Sequence, residues 1–161
     1  MRALIAFILV VLAATLQGTF NPQIRVLGGE PDLVFLLVLA WAARAPLQEA
    51  LLLAFAGGIS IDLLSAAPLG LSTLALLPVV FTVDAVREQL FGFGFPLVLI
   101  FAVAGTIIVK LIFFVGASIA GFSLPPVAAL AYTILPTMVY NLVGILPAYF
   151  VVRRLARRFA E

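Results

Sequence analysis

Neither cysteine nor histidine occurs among the 161 residues of this chain. Without cysteine there is no disulfide and no thiol chemistry, and without either residue most zinc sites are excluded. The lack of histidine also removes a histidine proton relay and the serine–histidine pair of an intramembrane protease. Charge is scarce as well: Asp, Glu, Lys and Arg make up 10% of the chain, against about 25% in a soluble domain. Hydrophobic residues take that share at 65%, and mean hydropathy is +1.31. The net charge of +2 comes largely from C-terminal arginines, which is no sign of nucleic-acid binding.

What is present is six apolar stretches. At about 20 residues per span they leave no room for a soluble domain, so residues 1–161 are expected to form one six-span transmembrane domain. The first stretch runs from about Leu4 to Phe20, and the loop Asn21–Glu30 follows with turn signals at Pro22 and Gly28-Gly29. Arg2 before an apolar run also fits a signal peptide, but the charge balance is coherent only if this segment stays as a span. Pro31 and Asp32 open the second span, proline by its preset backbone angle and Asp by complementing the helix dipole. That span, about Leu33–Ala43, is short, which predicts tilting or local thinning of the bilayer. Trp41 near its end suits an interfacial aromatic belt.

The third span is about Leu47–Leu64, and its small residues Gly57, Gly58 and Ser60 favour close helix approach. Ser65–Leu69 is a tight turn before Gly70, and the fourth span covers about Leu71–Val86. A connection from Arg87 to Gly94 leads to the fifth span, about Leu97–Ala120, and Gly121–Pro126 leads to the sixth, about Val127–Val152. The first, third and fifth connections carry one Lys or Arg, Arg25; the termini and the other connections carry seven. Short basic segments stay in the cytoplasm, so both termini are expected inside. Arg153, Arg154, Arg157 and Arg158 share one helical face, where anionic lipid accounts for them.

Three ionisable residues fall in or near spans: Asp62, Asp84 and Lys110. A charge at the bilayer centre costs about 2.5–3.5 kcal/mol, so each needs a partner or water. From helical rise, Asp62 and Lys110 sit at roughly 22 Å and 20 Å from the inner surface. An Asp62–Lys110 ion pair is therefore expected; the other reading is that Asp62 caps the outer turn while Lys110 snorkels outward. Asp62 and Asp84 lie near opposite faces, too far apart for an aspartyl dyad. Gly92-Phe93-Gly94 is too short for a phosphate loop. No enzyme activity, cofactor or metal is expected. Ala14 and Gly18 form a small-xxx-small pair, and Asn141 within a span seeks an interhelical hydrogen bond, as internal glue or as a partner contact.

The order of several short motifs resembles the bacterial rod-shape-determining MreD family. Pro31-Asp32 opens an apolar span ending near Trp41. Gly57-Gly58 precedes Ile61-Asp62-Leu63-Leu64-Ser65, and Pro68-Leu69-Gly70-Leu71 follows. Asn141, Pro147 and a basic C-terminus fit the same pattern, whereas Lys110 does not belong to it. The resemblance implies a non-enzymatic subunit of the cell-elongation machinery in the bacterial cytoplasmic membrane. It also implies a single-span MreC-like partner, with the MreB filament, the glycosyltransferase RodA and a class B penicillin-binding protein as further associates. The family is distantly similar in fold to the substrate-binding subunits of energy-coupling-factor vitamin transporters, which supplies the alternative function. A vitamin site needs several convergent polar and aromatic groups in a sizeable pocket. Few aromatics accompany Asp62, Ser65, Ser72, Thr73, Lys110 and Ser118, which favours a scaffold. Its expected mode is a groove receiving the partner's transmembrane helix, with Asp62, Ser65 and Gly70 ordering the outer end.

Overall fold

Apolar runs in lipid leave backbone amides no solvent to bond with, and a helix satisfies them within the segment. In the computed structural model, which describes residues 2–25, 28–87, 95–122 and 127–158, the chain is all-helical. Among those residues six helices form: α1 (Arg2–Ile24), α2 (Leu33–Ala42), α3 (Leu47–Leu64), α4 (Leu71–Ala85), α5 (Phe95–Ile119) and α6 (Val127–Arg158). The expected turn residues Gly92, Gly94, Pro125 and Pro126 lie outside the described residues.

Two boundaries differ from expectation for local reasons. Helix α1 runs through Pro22 to Ile24 instead of stopping at Phe20. A proline so close to a helix end removes only one bond. The last turn is also held from outside, by Asn21 Nδ2 donating to the Pro31 carbonyl and the Tyr140 hydroxyl donating to the Ile24 carbonyl. Helix α6 continues past Val152 to Arg158 because arginine is a good helix former.

Contacts give the direction of each helix. Val10 and Leu64 meet Gly57 and Gly18, so α1 and α3 run parallel. Gly58 faces Thr73 while Asp62 meets Gly70, so α3 and α4 are antiparallel. Val79 and Leu71 face Gly105 and Gly116, and Tyr149 packs on Phe95 while Asn141 reaches Thr106. Helices thus alternate in direction. The start of α1 and the end of α6 lie at one end of the bundle, with the ends of α1, α3 and α5 at the other.

Among the described residues four helices, α1, α3, α5 and α6, are long and apolar enough to cross a membrane. All six expected spans form as helices, the second is short as expected, and α4 is short as well. Helix α2 has 10 residues and α4 has 15; at 1.5 Å per residue they reach about 15 and 22 Å, against a hydrocarbon core of about 30 Å. Helix α2 is the central helix of the bundle, in contact with all five others, and its residues from Val34 to Ala42 are buried save Leu37. Shielded by its neighbours, it can be completed by non-helical backbone. Trp41, expected in the interfacial belt, is 2% exposed, and its indole N–H donates to Glu49.

The backbone that completes α2 is residues 28–32, laid along α6. Gly28 sits by Thr133, Gly29 against Pro136 and Thr137, the Glu30 N–H donates to Thr137 Oγ1, and the Asp32 N–H donates to Asn141 Oδ1. The spacing is commensurate: an extended run from 28 to 32 covers about 13 Å, and α6 from 133 to 141 rises about 12 Å. Irregular backbone at membrane depth is tolerated only when buried in protein, and α6 provides that cover. A Cβ on Gly29 would come within 2.5 Å of Pro136 and 2.7 Å of the Thr137 backbone nitrogen, so the approach demands glycine.

Candidate functional site

The first N–H groups of each short helix have no acceptor within the helix and must find one elsewhere. At α4 the acceptor comes from the preceding helix. Gly70 is the N-cap residue but has no side chain, and its left-handed backbone (φ +89°) turns the chain into α4. Asp62, in the last turn of α3 and 2% exposed, fills the role instead. Its Oδ2 accepts from the Gly70 N–H at 2.7 Å and the Ser72 N–H at 3.2 Å, and Oδ1 lies 3.3 Å from the same Ser72 nitrogen. Carboxylate and helix dipole are complementary here. Close packing of α3 on α4 makes the reach possible: Gly58 abuts the Thr73 backbone, where a Cβ would sit 2.4 Å from its nitrogen, and Thr73 Oγ1 donates to the Phe55 carbonyl.

At α2 the acceptors come from three elements. Asp32 Oδ1 caps the helix through the Phe35 N–H at 3.1 Å, and Gln17 of α1 accepts from the Val34 N–H at 3.1 Å. Asn141 of α6, 1% exposed, accepts from the Asp32 N–H at 3.0 Å. Its amide nitrogen donates to Thr106 Oγ1 on α5 at 2.9 Å, and Thr106 in turn donates to the Ala102 carbonyl. Asn141 thereby ties α2, α5 and α6 together at one buried point.

Between these two capped starts lies a cleft with two lobes, each lined in part by Gln17, Glu30, Ile61 and Ser65. One lobe, about 180 Å³, adds Gly18, Asn21 and Arg25; the other, about 170 Å³, adds Asp32, Ser72 and Lys110. Arg25 and Glu30 pair at 2.8 Å across its mouth.

The expected residues fall into distinct places. Asp32, Asp62, Gly70 and Asn141 belong to the two caps, with the Pro31 carbonyl accepting from Asn21. Gly57 and Gly58 lie in the helix contacts of α3, and Ala14 is buried on α1. Gly18 is exposed on the cleft and meets Leu64 only at ordinary distance. Ser65 is exposed too, its hydroxyl accepting from the Ala67 N–H. The expected Asp62–Lys110 ion pair does not form among the described residues. Two backbone donors of α4 claim the Asp62 carboxylate, and Lys110 faces the cleft instead. Asp84, expected near a bundle end, pairs with Arg87 at 3.7 Å.

Gln17, Asn21, Thr106 and Thr137 were not singled out by sequence reasoning. A signal for part of this set was present: Thr133, Thr137 and Asn141 recur every fourth residue and mark one polar stripe on an otherwise apolar helix.

These features define an all-helical protein with four membrane-length apolar helices around two short, internally capped ones. Among the described residues no cluster of acidic side chains could hold a metal ion. The family model for the rod shape-determining protein MreD matches residues 1–159, and the chain belongs to that family. Membership implies a role in rod-shape determination within a membrane-protein family that is not a known enzyme family. No curated protein and no solved structure matches the chain.

Proposed function

We propose that this chain is a non-enzymatic scaffold of the bacterial cell-elongation machinery, lying in the cytoplasmic membrane with both termini inside. Its helix faces bind the transmembrane helix of a single-span MreC-like partner, and through that partner it supports peptidoglycan synthesis by RodA and a class B penicillin-binding protein, in register with MreB. The observation that carries this reading is how polar groups are used. Asp32, Asp62, Thr106, Thr137 and Asn141 are buried and bonded within the chain. Outward faces of α1, α5 and α6 are left with Phe7, Leu12, Ile107, Leu111, Val139 and Val143. Even the exposed hydroxyls of Thr15, Thr19 and Thr82 are returned to their own helices, which suits contact with lipid or another helix. A vitamin-capturing subunit fits less well, because such a site needs several convergent aromatic and polar groups and the cleft lining includes one aromatic side chain, Phe113.

In-cell photocrosslinking from Leu12 on α1, Ile107 on α5 and Val143 on α6, with mass spectrometry of the products, tests the proposal. Adducts to a single-span elongation protein from one of these faces are expected. Recovery of an ATP-binding-cassette pair and a bound vitamin, with no elongation protein, would overturn it.

A further inference from the structure

Of the two short helices, α4 is the one that meets lipid. Helix α2 is enclosed by its neighbours, but α4 turns Leu74 and Phe81 outward, each more than half exposed. Its 15 residues give an apolar height of about 22 Å. The neighbouring α5 has 25 residues and reaches about 37 Å. Contacts fix how the two lie side by side. Leu71, the first residue of α4, meets Gly116, and α5 runs on to Ile119. Toward the other end Val79 meets Gly105; from there α4 continues only to Ala85, whereas α5 extends back to Phe95. Helix α5 therefore passes α4 at both ends.

Both ends of α4 call for water. In the turn before it, Ala66 and Leu69 are exposed and their N–H groups have no partner among the described residues. Irregular backbone is not tolerated in open hydrocarbon, so water has to reach this turn. At the opposite end Asp84 and Arg87 pair while both stay part-exposed, and charge of that kind belongs at the head-group level. Lipid tails between these two levels have about 22 Å to fill, where an ordinary core is about 30 Å. Another helix is the poorer cover. Helix faces that pack in membranes are rich in small residues, and Gly57 and Gly58 of this hairpin are spent on contacts inside the bundle. Asp84 and Arg87 satisfy each other and offer a partner no charge.

We propose that the bilayer is locally thinned along the α4 flank, where its core narrows to about 22 Å, while the α5 flank holds it at ordinary depth. A short apolar face left to lipid draws the membrane in around it. The lipid that fits this flank has short or strongly bent acyl chains.

Site-directed spin labelling tests this on the full chain, which has no cysteine of its own. Leu74→Cys and Leu111→Cys place nitroxides at about the same height in the bundle, one on each flank. Ala85→Cys and Ile100→Cys do the same near the other end. All four side chains are exposed, so the replacements leave the core intact. Depth is read by power saturation with oxygen and a nickel chelate, in bilayers of dioleoyl and of dimyristoleoyl phosphatidylcholine. In dioleoyl lipid the α4 label of each pair is expected about 4 Å nearer water than its α5 mate, half of the shortfall of about 8 Å. In the thinner dimyristoleoyl bilayer the difference should vanish. A difference in one pair alone supports thinning in that leaflet. Equal depths within both pairs in dioleoyl lipid would overturn the proposal. So would a difference that persists unchanged in the thin bilayer, since that is an offset within the bundle. Spin–spin broadening at Leu74→Cys, or loss of access to both reagents there, would overturn it too, by showing a second copy or another helix seated on α4. The two pairs are independent, so a folding defect in one variant leaves the other pair to decide.

Discussion

Asp62 is the residue on which the most structure depends, because it serves a helix other than its own. Its carboxylate accepts from Gly70 and Ser72 across the α3–α4 turn. Replacing it with alanine strands the buried Ser72 N–H, at about 1–3 kcal/mol, and the half-buried Gly70 N–H at less. Asp62→Asn keeps one acceptor oxygen and should lose roughly half as much. Thermal unfolding followed by size-exclusion in detergent would rank the three proteins, and equal midpoints for alanine and wild type would refute the capping role. Gly70 makes a separable demand. Nothing lies within 4 Å of where its Cβ would be, but φ is +89°, so Gly70→Ala should cost about 1–2 kcal/mol through backbone strain alone. Gly70→Asn, which tolerates the left-handed region, should recover part of that loss in the same assay.

Among elements, α2 shows best what was legible in the sequence and what was not. Pro31-Asp32 marks its start and the Arg44-Ala45-Pro46 break its end, and the helix Leu33–Ala42 agrees with both. Its central position was hidden, since an all-round apolar helix reads the same in lipid as in a protein core. The same ambiguity places Trp41 at the interface on sequence grounds, whereas it packs inside. The pairing of residues 28–32 with α6 was hidden too, because their hydrogen-bond partners lie more than 100 residues away in the chain. From this pairing, Gly29→Ala should force the segment off Pro136 and Thr137 and destabilise by more than the about 1–3 kcal/mol of ordinary overpacking. Asn141→Leu should also destabilise, because the Asp32 N–H loses its acceptor and Thr106 its donor. A double variant with Thr106→Val should cost less than the two single losses combined, since they share one bond. Strict additivity in a double-mutant cycle would show that the bond contributes nothing.

For the molecule as a whole, alternation of helix direction puts the start of α1 and the end of α6 at one end, and the excess of Arg over that end predicts that it faces the cytoplasm. Fusions of alkaline phosphatase and a fluorescent protein at residue 67 and at the C-terminus would check this, with phosphatase activity expected only at the first. The reverse pattern would invert the proposed orientation and detach the cleft from the outer half of the membrane. Composition and order of residues by themselves determined the class: no cysteine or histidine chemistry, an apolar helical chain, the helix boundaries to within a few residues, and the motif order of the family. These are local or additive properties, legible one window at a time. Tertiary structure alone decided that α2 lies shielded at the centre of the bundle, that Asp62 caps α4 rather than pairing with Lys110, and that Asn21 and Lys110 line a common cleft. Each of those outcomes turns on which distant groups compete for one buried polar atom, and that competition exists only once the helices have packed.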